Sequence, residues 1–445
     1  MSNPSSDNVA KATPQKIAKK TAMGTAKGLP MSTKEFVVLM ALCISLNAIG
    51  VDTMLPALDE IAEHYRIEYS NHQQWIVFSY VLGFGIPQLF AGPLSDRFGR
   101  KKILRVSFFF YIICGFACMF MPNFASLLAM RALHGVSAAG IRVATISVVR
   151  DLYAGRGMAR IMSIIMTVFM IAPIVAPGIG ELVLMVADWR WTFGILGLSG
   201  LIAWVWVELR LPETLDPKNR RLLKPSVIAD GYWQIIKSPV TLGYMMGSGV
   251  LFGALFAFIA ASEQIFSDIF DQEKYFALWF AAIAASLAIA NLTNARIVER
   301  LGMRRISHTA LLTFTTLSFL NLALCLIYGP HLALFFPIFV LTFGCFGMVG
   351  ANFSALAMEP LGKLAGSGSA AYGFSTSTIS ALIGIIIGSQ YDGTLVPILI
   401  GFGLLGIASI IIVLITEKGR LFRDGTAERL SLNAQLSAGK KPSDG

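Results

Sequence analysis

The stretch Gly92-Pro-Leu-Ser-Asp-Arg-Phe-Gly-Arg-Lys-Lys102 is a charged turn between two long apolar runs. A weaker copy, Ala295-Arg-Ile-Val-Glu-Arg-Leu-Gly-Met-Arg-Arg305, follows 203 residues later. Asp96 aligns with Glu299, Gly99 aligns with Gly302, and a basic pair ends both stretches. Because each turn closes one apolar hairpin, the repeat predicts a chain built from two equivalent membrane-embedded halves.

Composition supports a membrane location. The chain has 445 residues, of which 55% are hydrophobic and 14% charged, and a mean hydropathy of +0.66. A soluble domain carries roughly 25% charged residues. Apolar runs of about 20 residues can cross a bilayer as helices, which satisfy their own backbone hydrogen bonds. The predicted fold is all-α, with twelve transmembrane helices in two six-helix halves. The predicted spans are 35–56, 75–94, 103–121, 124–148, 161–186, 189–208, 239–262, 274–295, 306–328, 331–357, 371–391 and 394–416.

Charge distribution predicts the topology. The net charge is +10, and the tails and alternate turns hold 31 of the 36 Lys and Arg residues. Positive residues collect on the cytoplasmic side of membrane proteins, so both termini are predicted to be cytoplasmic in a bacterial inner membrane. The same asymmetry argues against a nucleic-acid-binding surface.

Five segments organise the chain. Residues 1–34 are predicted to be a disordered cytoplasmic tail, 35–208 the N-terminal half, 209–238 a cytoplasmic linker, 239–416 the C-terminal half and 417–445 a second tail. The sequence has no phosphate-binding glycine loop of the kind that ATP-driven transport requires. The five cysteines fall in apolar spans and are interpreted as packing residues. No metal site and no cofactor are predicted.

Further motifs carry a family resemblance. With the 92–102 turn, they resemble the major facilitator superfamily, and its Bcr/CflA-type multidrug/proton antiporters in particular. These motifs are Val51-Asp-Thr-Met-Leu-Pro-Ala-Leu58, Met130-Arg-Ala-Leu-His-Gly135, Arg150-Asp-Leu-Tyr153, Met162-Ser163, Ala172-Pro-Ile-Val-Ala-Pro177, Trp189-Arg-Trp191 and Leu211-Pro-Glu-Thr-Leu215. The resemblance implies a central cavity between two halves that rock against each other. This chain departs from the family pattern at His134, where Gln is usual, at Glu181, where Gly is usual, and at Arg142, an additional charge.

Asp52 and Arg131 are the predicted proton-coupling residues. Asp52 stands about 17 residues into the first span, roughly 25 Å along the helix. A carboxylate at that depth is costly to ionise, which makes Asp52 a candidate proton carrier; the alternative is an outer-loop residue that reaches water. Arg131 lies at a comparable depth in span four and needs a polar cavity or a partner. The resemblance places both spans at the cavity, so a coupling of Asp52 with Arg131, direct or through water, is predicted. An inert structural ion pair is the alternative.

Four more residues are candidates for the substrate cavity. Arg142 lies on the same helix face as Arg131, with Gly135 between them, so the face is predicted to form a small-residue groove for a polar or anionic substrate. Arg142 could equally reach the cytoplasm. His134 is one turn from Arg131 and is predicted to be neutral and hydrogen-bonded. Glu181 and Glu263, near the outer ends of spans five and seven, are minor candidates.

The 92–102 turn is predicted to act as a conformational switch. Gly92 and Gly99 would permit a tight turn and close helix approach. Asp96 would face the positive N-terminus of span eleven. Arg97 and Arg100 are predicted to hold Asp151, and Arg300 to hold Glu359. Alternatively, these basic residues only set the topology.

Span five contains the motif that the resemblance associates with antiport. Pro173 and Pro177 remove backbone donors and allow a bend. Ala172, Ala176 and Gly180 are four apart and form a ridge for close helix contact. Ordinary small-residue packing would use the same residues.

The sequence therefore predicts a secondary transporter rather than an enzyme. The predicted function is proton-coupled export of small, drug-like molecules by alternating access. The alternative is a uniporter or a proton symporter that imports a small polar or anionic metabolite. The predicted partners are a small-molecule substrate, protons and membrane lipid, with no nucleic acid, and the chain is predicted to act as a monomer.

Overall fold

A computed structural model describes residues 30–67, 70–153, 155–220, 225–361 and 364–422, and over these ranges the chain is helical with no β-strand. The predicted tails fall largely outside the described residues. Sixteen α-helices order the described chain: α1 Thr33–Asp52, α2 Leu58–His64, α3 Trp75–Gly85, α4 Gln88–Phe98, α5 Arg100–Cys118, α6 Phe124–Leu152, α7 Gly155–Phe169, α8 Ile171–Leu184, α9 Arg190–Arg210, α10 Pro225–Ile236, α11 Pro239–Gln264, α12 Phe276–Leu301, α13 Met303–Tyr328, α14 Leu332–Met358, α15 Ala365–Gly388 and α16 Val396–Thr416.

Each predicted apolar run coincides largely with one or two helices. Ten helical stretches in the described ranges are long and apolar enough to cross a membrane. If the bent pair Asn71–Gly85 and Gln88–Phe98 is counted as one span, it is the eleventh. The remaining predicted span is α5, which has 19 residues and opens on a basic first turn. The basic residues of this first turn lower the mean hydropathy of α5. Long basic side chains at a helix end can extend to the lipid headgroups, so α5 can still be long enough to span the membrane.

In three of the predicted spans, a helix ends or bends next to a proline. Pro56 has no N–H for the carbonyl of Asp52, and α1 ends at Asp52. Pro87 separates α3 from α4, where the axis turns by 44°. Pro173 has no N–H for the carbonyl of Phe169, the residue at which α7 ends. Span five is thus interrupted near its centre, between α7 and α8, and its predicted bend stays a prediction, whereas the bend in span two was not predicted.

The helices pack as two sets. Helix α6 packs on α3 and α5, and α5 packs on α9; in the second set, α11 packs on α15 and α16, and α13 packs on α14. Contacts between the sets run along α3 and α4 with α15, and along α8 with α12. The predicted 209–238 linker contains α10, whose Tyr232 hydroxyl donates to the carbonyl of Leu89 at 2.7 Å.

The helix bundle has two ends, which we call proximal and distal. The proximal end carries the described chain ends at residues 30 and 422 and the turns at Gly99 and Gly302. The distal end carries the opposite turns, which include residues 53–67, 70–74, 265–275 and 389–395. Side-chain bonds join the two sets at the distal end. The amide of Gln74 donates to Gln264 at 2.8 Å, and Asn71 donates to the carbonyls of Ser389 and Tyr391 at 3.2 and 2.8 Å.

Candidate functional site

The two charged turns have the same backbone conformation. Gly99 has φ 99° and ψ 152°, and Gly302 has φ 78° and ψ 151°. This left-handed region is open to glycine and strained for other residues. Gly92 differs, because it lies inside α4 and a Cβ there would meet nothing closer than Val143, at 4.0 Å. The prediction that Gly92 provides close helix approach is therefore wrong for this conformation.

Arg100 anchors the first turn. The residue is 3% exposed, and its guanidinium forms ion pairs with Asp96 at 2.6 Å and Asp151 at 2.8 Å. Asp96 also lies 3.9 Å from Arg150. Arg97 is exposed, and no ion pair of Arg97 occurs within the described ranges. Of the two predicted arginines, Arg100 therefore holds Asp151, whereas Arg97 is an exposed residue in the last turn of α4.

Glu213 is a member of this cluster that sequence reasoning missed. Its carboxylate accepts from the backbone N–H groups of Arg100 and Lys101 at 3.0 and 3.2 Å, so it stabilises the positive N-terminus of α5. A Cβ at Gly99 would overlap this carboxylate. Asp96 was predicted to meet a helix N-terminus of the other half, but here it pairs with arginines of its own half. The signal was available, since Glu213 lies in the Leu211-Pro-Glu-Thr-Leu215 motif.

The second turn is held by a different arginine from the one predicted. Arg304, at the start of α13, contacts Glu417 at 2.8 Å and Glu359 at 3.5 Å. The Tyr244 hydroxyl donates to Glu417 at 2.6 Å. Arg300 was predicted to hold Glu359, but it lies in the last turn of α12, on the other side of Gly302, and is exposed.

Arg131 is buried in the first half, and among the described residues it forms no ion pair with a carboxylate. The side chain is 0% exposed, and it donates to the carbonyls of Gly50 at 2.8 Å and Ile76 at 3.3 Å. Its guanidinium lies 4.5 Å from the centre of the Tyr80 ring. The Gly50 carbonyl lies in the last turn of α1, where helix carbonyls lack intrahelical donors and attract cations.

Asp52, two residues after Gly50, is 4% exposed. Within the described ranges its carboxyl group forms no hydrogen bond or ion pair, and the predicted direct pair with Arg131 is not made. Tyr80 contacts both Arg131 and α1, since the Arg131 guanidinium lies over its ring and its hydroxyl lies where a Cβ on Gly50 would be. The Tyr80 hydroxyl is itself buried without a hydrogen bond.

His134 lies against the same group of side chains. Its Nδ1 is 3.4 Å from Arg131, which makes it the acceptor of a long hydrogen bond, and its Nε2 is buried without a partner. The ring packs 4.1 Å from that of Tyr111 and 5.5 Å from that of Tyr80, measured between ring centres. His134 is thus enclosed among aromatic rings and does not line an open cavity.

The small-residue groove predicted on α6 is filled by α3. A Cβ at Gly135 would overlap the carbonyl of Tyr80, and a Cβ at Gly83 would overlap that of Ala132. The small residues therefore bring two helix backbones into contact and leave no room for a substrate. Arg142 remains partly exposed, with its guanidinium 5.6 Å from the centre of the Phe84 ring.

The span-five motif lies beside Asp52. Ala176, Pro177 and Gly180 are buried, and a Cβ at Gly180 would overlap the carbonyl of Thr53. Helix α8 therefore touches the backbone that immediately follows Asp52. One residue further, Glu181 accepts from the N–H of Ala277 at 2.7 Å. That contact joins α8 to the N-terminus of α12 at the distal end, so Glu181 lies in an inter-helix contact in this conformation.

Glu263 is 4% exposed at the distal end of α11. Its Oε1 accepts from the Ser267 hydroxyl at 2.7 Å, and its Oε2 is buried without a donor. Glu263 directly precedes Gln264, which accepts from Gln74 of the other set at the distal end.

Comparisons with known proteins agree with the fold and motifs. A family model described as the Major Facilitator Superfamily matches residues 40–385. The bicyclomycin resistance protein homolog of Haemophilus influenzae is 29% identical over 387 residues, 85% of this chain and 95% of that protein. The chloramphenicol resistance protein CraA of Acinetobacter baumannii is 24% identical over 69% of this chain and 73% of that protein. The solved xylose transporter XylE of E. coli has a TM-score of 0.66 at 11% identity, covering 85% of this chain and 96% of that one.

The resistance proteins are consistent with the predicted resemblance to Bcr/CflA-type drug antiporters, and the solved structure shows the shared helical fold. The matched region runs from α1 to α15 and includes both charged turns and the span-five motif. This chain belongs to the Major Facilitator Superfamily and is a membrane transporter, not an enzyme.

Proposed function

We propose that this chain is a proton-coupled exporter of small amphipathic compounds that works by alternating access. The relatives named for bicyclomycin and chloramphenicol resistance support export of drug-like molecules. We infer twelve transmembrane helices in two six-helix halves, 35–208 and 239–416, with the α3–α4 pair and α5 each counted as one span. The glycine conformation shared by the two turns, Gly99 and Gly302, supports the duplication.

The positive charge on the proximal side supports a bacterial inner-membrane location with both termini in the cytoplasm. On this orientation the distal end faces outside, and the bonds from Gln74, Asn71 and Glu181 close it. The described conformation is then one stage of a cycle in which the two halves separate at one end at a time.

The single observation that carries the coupling proposal is the buried carboxyl of Asp52, which has no partner among the described residues and lies two residues after Gly50, whose carbonyl accepts from Arg131. A buried carboxylate without partners is unstable, whereas a neutral carboxylic acid is tolerated. We therefore assign the described state to protonated Asp52, with Arg131 bound to the carbonyl of Gly50. When Asp52 loses its proton, its charge competes with that carbonyl for Arg131. The competition would change the packing of α1, α6 and Tyr80.

Gly180 connects this event to the other half. Helix α8 rests on the carbonyl of Thr53 through Gly180 and contacts α12 through Glu181. A shift at the end of α1 is thus passed to the distal contact between the halves. Pro173 and Pro177 weaken the hydrogen bonding of span five, so we propose that this span bends during the cycle.

At the proximal end, we propose that the Arg100 cluster with Asp96, Asp151 and Glu213 keeps α4 and α5 together as one rigid unit while the halves rock. Arg142 is our remaining candidate for the substrate cavity, because it is the partly exposed charge on the central part of α6. Its cationic head favours substrates with an acceptor or a negative group.

Transport by the purified protein in proteoliposomes tests the function directly. Chloramphenicol is the first probe, because a relative is named for resistance to it. Antiport predicts uphill movement of the probe opposite to an imposed proton gradient, which stops when a protonophore collapses the gradient. Uphill movement in the same direction as protons would show symport, and equilibration unaffected by the gradient would show uniport.

A further inference from the structure

Pro93 leaves one backbone carbonyl of α4 without its helical donor. In an α-helix, each carbonyl accepts from the N–H of the residue four positions later. For Leu89 that residue is Pro93, which lies inside α4 and has no N–H. The Tyr232 hydroxyl of the linker helix α10 donates to this carbonyl at 2.7 Å. The linker thus supplies the hydrogen bond that the proline removes.

This bond lies beside a contact between the two helix sets. Gln88, the residue before Leu89, donates to the Ser377 hydroxyl at 3.2 Å and to the carbonyl of Gly373 at 3.4 Å, both in α15. A Cβ at Gly373 would overlap the Gln88 side chain, so α4 and α15 approach closely here. From this contact, α4 runs to the proximal turn at Gly99. Leu89 therefore lies where the first set meets the second on the way to the proximal end.

Helix α10 is attached to the second set. It packs on α11 and α15, and Ile235 on its inner face is 1% exposed. Gly231, one turn earlier, is buried, and the Ser367 hydroxyl of α15 lies 3.8 Å from where its Cβ would be. Residues 237 and 238 alone separate α10 from α11, which ties α10 to the second set. A movement of α4 away from α15 therefore pulls Leu89 away from Tyr232.

We propose that Tyr232 is a latch of the proximal side, whose bond to Leu89 holds α4 against the second half and breaks each time the proximal side opens. In the open state, water donates to the Leu89 carbonyl in place of Tyr232. Pro93 creates the need for the latch, because any other residue at that position would satisfy the carbonyl within α4. The inference rests on the proposed alternating access, but its test requires neither a drug nor a proton gradient.

The test compares the unmodified chain with Tyr232→Phe, Pro93→Ala and the double variant. Tyr232→Phe keeps the ring and removes the donor. Pro93→Ala restores an N–H that donates to the Leu89 carbonyl within α4, so the Tyr232 hydroxyl becomes dispensable. Residues that share one hydrogen-bonding group give non-additive effects. Tyr232→Phe should therefore have a clear effect alone and little effect in the Pro93→Ala background.

The first readout is a distance across the proximal end in lipid nanodiscs. Spin labels are placed on Lys102→Cys, in the first turn of α5, and on Leu301→Cys, in the last turn of α12, in a variant without the five native cysteines. Both positions are exposed. Tyr232→Phe should raise the ratio of long to short distances by roughly two- to tenfold, the scale of one hydrogen bond. The second readout is the melting temperature, which should fall with Tyr232→Phe alone.

Tyr328→Phe is the matched control, because it removes an exposed hydroxyl at the distal end and should change neither readout. Distances that Tyr232→Phe leaves unchanged, or shifts toward the shorter one, would overturn the latch. Equal effects of Tyr232→Phe with and without Pro93→Ala would overturn the role of Pro93. These outcomes are independent of the antiport proposal, because failure of uphill transport with an intact four-variant result would contradict antiport and leave the latch supported.

Discussion

At the scale of single residues, Gly99 and Gly92 belong to the same charged turn but have different requirements. Gly99 has φ 99° and faces the carboxylate of Glu213, whereas Gly92 is an ordinary helical position with free space beside it. The sequence pattern treats the two glycines alike, and only the backbone conformation separates them.

This difference gives a paired prediction for stability. Gly99→Ala forces a side chain into a conformation that costs about 1–3 kcal/mol, and its methyl group would also displace Glu213. We expect a lower melting temperature and slower transport. Gly92→Ala should be neutral or stabilising by about 0.5–1 kcal/mol, because alanine is the better helix former. Thermal unfolding in detergent measures both variants, and equal melting temperatures would contradict this account of the turn.

Charge pairing was predictable by residue type but not always by position. The sequence predicted that arginines of the first turn hold Asp151, and Arg100 does so at 2.8 Å. Arg97 and Arg300 were wrong choices because each lies before the turn glycine, on an exposed face of the preceding helix. A shift of a few residues around a helix changes which face a side chain occupies. The sequence alone therefore does not show which arginine faces the carboxylate, because that depends on the geometry of the turn.

At the scale of helices, Pro173 and Gly180 affect span five at two different positions. Pro173 ends the hydrogen bonding of α7, and Gly180 lets α8 contact the backbone beside Asp52. The sequence predicted a bend and a small-residue ridge in this span. It could not identify the neighbour of the ridge, because that contact joins residues far apart in the chain.

Gly180→Ala should therefore impair transport. Its methyl group would overlap the carbonyl of Thr53 and push α8 away from α1, which disturbs the surroundings of Asp52. Gly178→Ala is the matched control, since a Cβ there would meet nothing within 4 Å. We expect resistance in a drug-sensitivity assay to be lost with Gly180→Ala and kept with Gly178→Ala at equal expression. Unchanged resistance in both variants would show that this contact is not required.

At the scale of the whole molecule, the all-helical fold and the family were predictable because apolar runs and local motifs carry that information. The substrate groove proposed on α6 was not correct, because the small residues of one helix do not reveal whether another helix or a cavity covers them. Here Tyr80 and α3 cover Gly135.

The proposed topology is tested by labelling intact cells with a membrane-impermeant maleimide. A cysteine at Tyr328, at the distal end, should react from outside, whereas a cysteine at Lys218, between α9 and α10, should react only after the cells are permeabilised. Both positions are exposed. Labelling of position 218 from outside would contradict two cytoplasmic termini and an inner linker.

The central claim is that Asp52 carries the coupled proton, and uphill transport by Asp52→Asn tests it most directly. The amide keeps the volume of the side chain but cannot bind and release a proton. In proteoliposomes with an imposed pH gradient, we expect Asp52→Asn to bind the probe and to exchange it across the membrane without accumulation, while the unmodified protein accumulates it. Accumulation by Asp52→Asn equal to that of the unmodified protein would contradict the account and exclude Asp52 as the proton carrier.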